Sequence, residues 1–123
     1  MGKILIVDDE IDVCDFVKYF FEERNYRVFT ALNSDEALTL LRREKPHIVL
    51  LDVRMAGTDG IETLKKIRNF DKKVTVIMVT AVDDHSRMEE AAKLGAARYI
   101  TKPLVLENLE AVVLSHMKGI GNE

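Results

Sequence analysis

Short runs of apolar residues, many of them β-branched, alternate along this chain with longer segments of helical periodicity. Two of these runs, residues 4–7 and 48–51, are apolar at every position, which is typical of strands that helices cover on both faces. Strands and helices in alternation predict parallel βαβ units with right-handed crossovers. We therefore expect a doubly wound α/β fold with a five-stranded parallel sheet. The predicted strands are residues 4–7, 27–30, 48–51, 74–79 and 98–101.

Helical signals separate the predicted strands. In the first helix, Val13, Phe16, Val17 and Phe20 recur at the spacing of one helix face, which predicts that this face is buried. A capping box of Asn33 and Glu36 predicts the start of the second helix, whose buried stripe is Ala37, Leu38 and Leu41. The third helix is expected to open at residues 58–62 and to end near Asn69. The fourth is expected to be capped by Asp83 or Asp84 and stopped by Gly95, and the last to run over about residues 105–118.

The composition narrows the classes of function. The chain carries 18 Lys and Arg against 21 Asp and Glu, a net charge of −3, whereas a nucleic-acid-binding domain usually shows a basic patch. Its single cysteine, Cys14, excludes an internal disulfide and favours a reducing cytoplasm. No apolar run exceeds four residues, so we expect no membrane span. We expect one cytoplasmic domain over residues 1–123, with residues 119–123 as a frayed tail.

Residues with charged or reactive side chains directly follow four of the predicted strands. Asp8 and Asp9 follow the first strand, Asp52 the third, Thr80 the fourth and Lys102 the fifth. Each alone has a simpler interpretation: an Asp at this point can cap the first helix, and a Lys can be a solvated charge. Because ligands bind outside the carboxyl ends of parallel strands, we expect the five side chains to converge. Three neighbouring carboxylates would then repel one another unless a cation lay among them.

An oxygen-only ligand set of this kind suits Mg²⁺, which keeps several waters and shares its positions with a phosphoryl group. Beside such an ion, one carboxylate can attack phosphorus and form an acyl phosphate. An ammonium and a hydroxyl can neutralise and hydrogen-bond the transferred group. The residue types at the strand ends therefore favour a phospho-accepting aspartate.

These residues, with Asp59 and Gly60 after Asp52 and Pro103 after Lys102, resemble the receiver domain of two-component response regulators over essentially the whole chain. The resemblance implies a flavodoxin-like strand order 2-1-3-4-5 with helices on both faces. It also implies a signalling switch of a phosphorelay, in which Asp52 receives a phosphoryl group from a histidine kinase or phosphotransfer protein. Such a chain is not a dedicated enzyme and catalyses only the Mg²⁺-dependent phosphorylation and slow dephosphorylation of its own aspartate.

The same resemblance implies the ligands of the metal ion. Asp9 and Asp52 would bind Mg²⁺ through their carboxylates, and Arg54 through its backbone carbonyl. Asp8 would act mainly through a metal-bound water.

The resemblance also implies the residues of the switch. Lys102 would contact the phosphoryl group, and Thr80 would move to hydrogen-bond it. Tyr99 would be the aromatic switch residue, whose ring turns inward when that hydroxyl moves. The Lys102–Pro103 peptide bond would be cis, which is accessible to X-Pro bonds. Phosphorylation would change the surface formed by the fourth helix, fifth strand and fifth helix. A downstream protein or effector domain would dock on this surface, or a phosphorylation-dependent dimer would form there. The domain itself would contact neither nucleic acid nor membrane.

Two features depart from the family pattern. Ala56 stands where a proline usually lies four positions after the phospho-accepting aspartate, so we expect a less rigid loop. Leu104, Val105 and Leu106 follow Pro103 without a polar cap, and since all three cannot easily face inward, we expect exposed apolar surface near the last helix.

Two alternative functions use the same topology. A Mg²⁺-dependent phosphatase with an aspartyl nucleophile after the first strand would need a second acid two residues on, where Glu10 is a weak candidate, and a cap insertion that the chain lacks. A flavin-binding module would hold phosphate in its first loop, which the acidic residues 8–10 would repel. The chain has no glycine-rich nucleotide motif, and its three histidines are too scattered for a recognisable zinc motif.

Overall fold

Five parallel strands form the central sheet of the computed structural model, which describes residues 2–55, 58–81 and 87–117. The strands are β1 (Lys3–Val7), β2 (Arg27–Ala31), β3 (Ile48–Asp52), β4 (Thr75–Thr80) and β5 (Arg98–Thr101). They lie in the order β2-β1-β3-β4-β5, so the predicted doubly wound α/β fold and its flavodoxin-like order are confirmed. Arg54–Met55 and Thr58–Asp59 pair antiparallel in a short hairpin outside this sheet, a feature that the sequence pattern does not predict.

Helices cover both faces of the sheet. Helices α1 (Ile11–Glu22) and α5 (Leu106–Met117) pack on one face, whereas α2 (Ser34–Glu44), α3 (Gly60–Phe70) and α4 (Met88–Lys93) pack on the other. Successive strand residues point to opposite faces, so Ile4 and Ile6 pack with α1 and α5, and Leu5 and Val7 pack with α2–α4. Burial on both sides explains why β1 and β3 carry no polar alternation.

The buried face of α1 differs from the predicted one. Cys14, Val17 and Phe21 are buried, whereas Phe16 is 57% exposed. The prediction that Phe16 faces the core was therefore wrong. Val13 and Phe20 are partly buried against the same core, so Phe16 is the predicted residue that departs. Neighbouring residues lie about 100° apart on a helix, and with Val17 at the centre of the buried face Phe16 falls outside it. Cys14 is a buried free cysteine.

Local signals set several helix ends. Asn33 Oδ1 accepts a hydrogen bond from Glu36 N at 2.9 Å, and the Glu36 carboxylate accepts one from Leu32 N at 2.8 Å, so the predicted start of α2 is confirmed. Gly95 follows α4 with a φ of +83°, a conformation that favours glycine. The predicted caps Asp83 and Asp84, and the predicted tail at residues 119–123, lie outside the described residues. Within the described ranges, no helix is long and apolar enough to cross a membrane.

Candidate functional site

Acidic, hydroxyl and basic side chains meet at the edge of the sheet where β1, β3, β4 and β5 end. Asp8 directly follows β1, Asp52 ends β3 and Thr80 ends β4, and all three are buried. Lys102 directly follows β5, and its ammonium lies 3.0 Å from Oδ2 of Asp52 and 3.9 Å from Oδ2 of Asp8. The strand order thus brings together side chains that are far apart in the sequence.

The carboxylate of Asp52 is held from two sides. Its Oδ2 accepts a hydrogen bond from Lys102, and its Oδ1 accepts one from Arg54 N at 3.1 Å. The backbone behind it is held as well, because Gly60 N donates to the carbonyl oxygen of Val53 at 2.7 Å. A Cβ at Gly60 would lie 2.3 Å from the carbonyl oxygen of Asp52, so only glycine allows α3 to begin this close to β3.

Burial raises the pKa of Asp8 from 3.8 to about 6. The hydrogen bond from Glu10 N, at 2.9 Å, opposes this increase, as does the charge of Lys102, whereas the charge of Asp52 adds to it. A buried carboxylate with too little positive charge around it shows such a shift. For Lys102, burial alone would lower the pKa, but the hydrogen bond and charge of Asp52 outweigh it and raise the pKa of the ammonium.

A metal ion would find several oxygen ligands at this edge. One carboxylate oxygen from each of Asp8, Asp9 and Glu10 lies within 4.8 Å of the other two, so the three could share an ion. Asp9 is half-buried and Glu10 exposed. Oxygen-only donors of this kind fit Mg²⁺. Glu10 is not among the ligands that the resemblance implies, whereas Asp52, which the resemblance does imply, is not part of this trio. Its Oδ2 accepts a hydrogen bond from Lys102.

The residues predicted to form the switch lie at the end of β4, along β5 and directly after it. The Thr80 hydroxyl donates to the carbonyl oxygen of Ala81 at 3.1 Å. Tyr99, on β5, is 44% exposed. Lys102 N donates to the carbonyl oxygen of Thr80 at 2.7 Å, and the Lys102–Pro103 peptide bond is cis. The ends of β4 and β5 are therefore tied together next to Asp52.

Other predictions concern the surroundings of the cluster. The side chain of Arg54 is exposed, while its backbone faces Asp52. Val105 is 49% exposed, with Leu104 and Leu106 half-buried, so the predicted apolar surface before α5 is confirmed. Ala56 lies outside the described residues. The close approach of Gly60 to β3 was missed; the Asp-Gly pair was its only signal in the sequence.

Comparison with known proteins identifies the family. Residues 4–114 match the response regulator receiver domain. The chain is 34% identical to sporulation initiation phosphotransferase F of Bacillus subtilis, with 94% of this chain and 93% of that protein covered. It is 37% identical to the transcriptional regulatory protein ZraR of Escherichia coli, of which it spans 28%, with 98% of this chain covered.

Solved structures agree with this assignment. A two-component response regulator from Clostridium difficile superposes with a TM-score of 0.90 at 30% identity, covering 98% of both chains. The chemotaxis protein CheY4 of Vibrio cholerae superposes with a TM-score of 0.88 at 27% identity, covering 94% of this chain and 98% of that one. The phosphatase alternative is not favoured. The chain belongs to the response regulator receiver domain family and is a phospho-accepting switch of two-component signalling rather than a dedicated enzyme.

Proposed function

We propose that Asp52 is the residue that accepts the phosphoryl group, in a Mg²⁺-dependent reaction with a histidine kinase or phosphotransfer protein. The observation that carries this proposal is the buried Asp52 carboxylate, with the Lys102 ammonium 3.0 Å from its Oδ2. A bond forms between one Asp52 carboxylate oxygen and phosphorus, while the bond from phosphorus to the donor nitrogen breaks. Lys102 neutralises charge on the transferred group, as phosphoryl transfer requires.

Asp9 and Asp52 would hold Mg²⁺ through their carboxylates, Arg54 through its backbone carbonyl, and Asp8 through a metal-bound water. The closeness of the acidic oxygens of residues 8–10 and the raised pKa of Asp8 support a cation at this edge. When bound, the ion supplies positive charge that offsets repulsion between the carboxylates and the incoming phosphoryl oxygens.

Thr80 and Tyr99 would transmit the effect of phosphorylation from Asp52 to the surface of the domain. The Thr80 hydroxyl would leave the carbonyl oxygen of Ala81 and donate to the phosphoryl group, and the exposed Tyr99 ring would turn inward. The surface of α4, β5 and α5 would then change for a downstream protein or effector domain, or for a dimer. We place this switch in the cytoplasm, as one receiver unit. The buried free thiol of Cys14 supports this location, since free thiols persist in reducing compartments.

Phosphorylation by a small donor tests this function. The protein is incubated with Mg²⁺ and acetyl phosphate, and its intact mass is measured. We expect one added phosphoryl group in the wild type and in Asp35→Asn, an exposed carboxylate on α2, and none in Asp52→Asn. Undiminished labelling of Asp52→Asn would contradict the proposal. A phosphatase would instead release phosphate continuously and depend on Asp8.

A further inference from the structure

Two ion pairs join α3 to α4 along the side of α4 that faces away from β5. Asp59, directly before α3, pairs with Arg87, directly before α4. Lys65 of α3 lies 3.3 Å from a carboxylate oxygen of Glu90 on α4. All four side chains are partly exposed. We call these two ion pairs the α3–α4 seam.

The first ion pair of the seam connects the two segments that leave the site. Asp59 lies on the connection that follows Asp52, and Arg87 on the connection that follows Thr80. The Asp59 carboxylate is already fixed, because its Oδ1 accepts a hydrogen bond from Ile61 N at 2.9 Å. Burial would raise the pKa of Asp59, but the hydrogen bond and charge of Arg87 hold it below its ordinary value. The pair therefore stays ionised at neutral pH.

Helix α4, as far as the structure describes it, is short and packs on the sheet through two buried side chains. It is six residues long, and Met88 and Ala91 are its buried side chains. A helix this short depends on tertiary contacts for its position. On the side facing β5 it borders an open cavity of about 500 Å³, whose lining includes Met78, Met88, Ala91 and Tyr99. Small alanines and flexible methionines leave room for the helix to repack in that direction.

The other end of α4 is fixed more firmly. The guanidinium of Arg68 donates to the carbonyl oxygens of Leu94 at 2.8 Å and Gly95 at 2.9 Å, directly after α4. It also donates to the carbonyl oxygens of Asp71 at 3.2 Å and Val74 at 2.8 Å. Among the described residues, the end of α4 next to the site is thus held by partly exposed ion pairs and by Met88. The far end is held by a partly buried guanidinium that donates to backbone carbonyl oxygens.

We propose that the α3–α4 seam is a latch that favours the unphosphorylated arrangement and opens when Thr80 turns towards the phosphoryl group. Arg87 follows Thr80 by seven positions in the sequence, as Asp59 follows Asp52, and the two residues pair with each other. Opening lets the first turn of α4 move towards the cavity while Arg68 keeps its last turn in place. Exposed ion pairs are individually weak, so one hydrogen bond to the phosphoryl group is enough to offset the latch. The inference rests on the proposed function of Thr80 and Asp52.

Binding of beryllofluoride, a stable phosphoryl mimic, tests the latch. The affinity of the full chain for beryllofluoride in Mg²⁺ is measured by NMR titration for wild type, Arg87→Ala, Arg87→Lys and Lys93→Ala. Lys93 is an exposed cation at the end of the same helix and serves as the matched control. We expect Arg87→Ala to bind about two- to fivefold more tightly than wild type, the range of an exposed ion pair. Arg87→Lys should lie in between, and Lys93→Ala should equal wild type.

An affinity of Arg87→Ala equal to or below that of wild type would overturn the latch, because a loss of stability alone cannot tighten binding. Glu90→Gln, which removes the second ion pair and leaves Arg87 in place, should tighten binding in the same direction by a smaller factor.

Hydrogen exchange in the absence of any phosphoryl mimic separates this inference from the proposed function. The α4 amides of Arg87→Ala should exchange several-fold faster than those of Lys93→Ala, while the β1 and β3 amides are unchanged. Equal exchange in the two variants would overturn the latch, even in a protein that binds beryllofluoride. A wild type that does not bind beryllofluoride would refute the role of Asp52 and with it the latch, and faster α4 exchange in Arg87→Ala would then show only that the seam holds α4.

Discussion

The ammonium of Lys102 lies 3.0 Å from Oδ2 of Asp52, a residue fifty positions earlier in the chain. Asp52 is 4% exposed and Asp8, the next carboxylate, is 3% exposed, so this single cation faces two buried acids. The charge of the site is therefore unbalanced towards the negative, and both phosphoryl transfer and stability should respond to any change of charge at this edge.

Loss of the Lys102 ammonium should slow phosphorylation. A hydrogen bond to a charged group contributes about 1.5–3 kcal/mol, so we expect Lys102→Ala to be labelled by acetyl phosphate about ten- to a hundredfold more slowly than wild type. Rates are followed by intact mass. Lys72→Ala, which removes an exposed cation before β4, should be labelled at the wild-type rate. Equal rates for the two variants would show that Lys102 does not act on the phosphoryl group.

The raised pKa of Asp8 should make stability depend on pH. Its pKa is 3.8 in an unfolded chain and about 6 in the folded protein, so the folded state binds the proton more tightly. The stabilisation that this tighter proton binding contributes is fully present below about pH 4 and is lost as the pH rises through 6. Without Mg²⁺, the unfolding free energy of Asp8→Asn relative to that of wild type should increase by roughly 2–3 kcal/mol between pH 4 and pH 7.5, as measured by urea unfolding at each pH. Asp35→Asn should show no such gain, and a pH-independent difference for Asp8→Asn would refute this.

Mg²⁺ should stabilise the folded protein through Asp9. An ion that binds only the folded state adds about 1.4 kcal/mol at a concentration ten times its Kd, and EDTA should remove this gain. Asp9→Asn should need a higher Mg²⁺ concentration for the same increase in Tm. The measurement is a thermal melt across a Mg²⁺ series. An unchanged Mg²⁺ dependence in Asp9→Asn would exclude that carboxylate as a ligand.

Gly60→Ala should disturb the site as well as the fold. The added Cβ would lie 2.3 Å from the carbonyl oxygen of Asp52 and 2.6 Å from Cα of Val53, so the end of β3 must shift. We expect a loss of about 1–3 kcal/mol in unfolding free energy, as for overpacking, together with slower labelling of Asp52. Gly95→Ala, at a φ of +83° and before β5, at the opposite end of that strand from Lys102, should also lose stability but keep the wild-type labelling rate. Equal labelling of both variants would contradict a positioning role for Gly60.

Local patterns in the sequence were enough to predict some elements and not others. The capping box of Asn33 and Glu36 was predictable because both partners lie within one helical turn. The exposure of Phe16 and the burial of Phe21 were not, because the apolar spacing leaves open how far α1 is rotated about its own axis, and packing against β1 and α5 decides that rotation. The contact of Gly60 with β3 likewise depends on how two elements approach each other.

The doubly wound fold and the position of the reactive residues at the strand ends could be predicted from the amino-acid pattern alone. The physical reasons are that strands buried on both faces must be continuously apolar, and that parallel strands all end at one edge. Packing of the elements is needed to see that Lys102 donates to Asp52, that Asp8 is buried deeply enough to raise its pKa, and that Arg87 pairs with Asp59. Distances, burial and charge pairing between remote residues arise when the elements pack, and no local pattern encodes them.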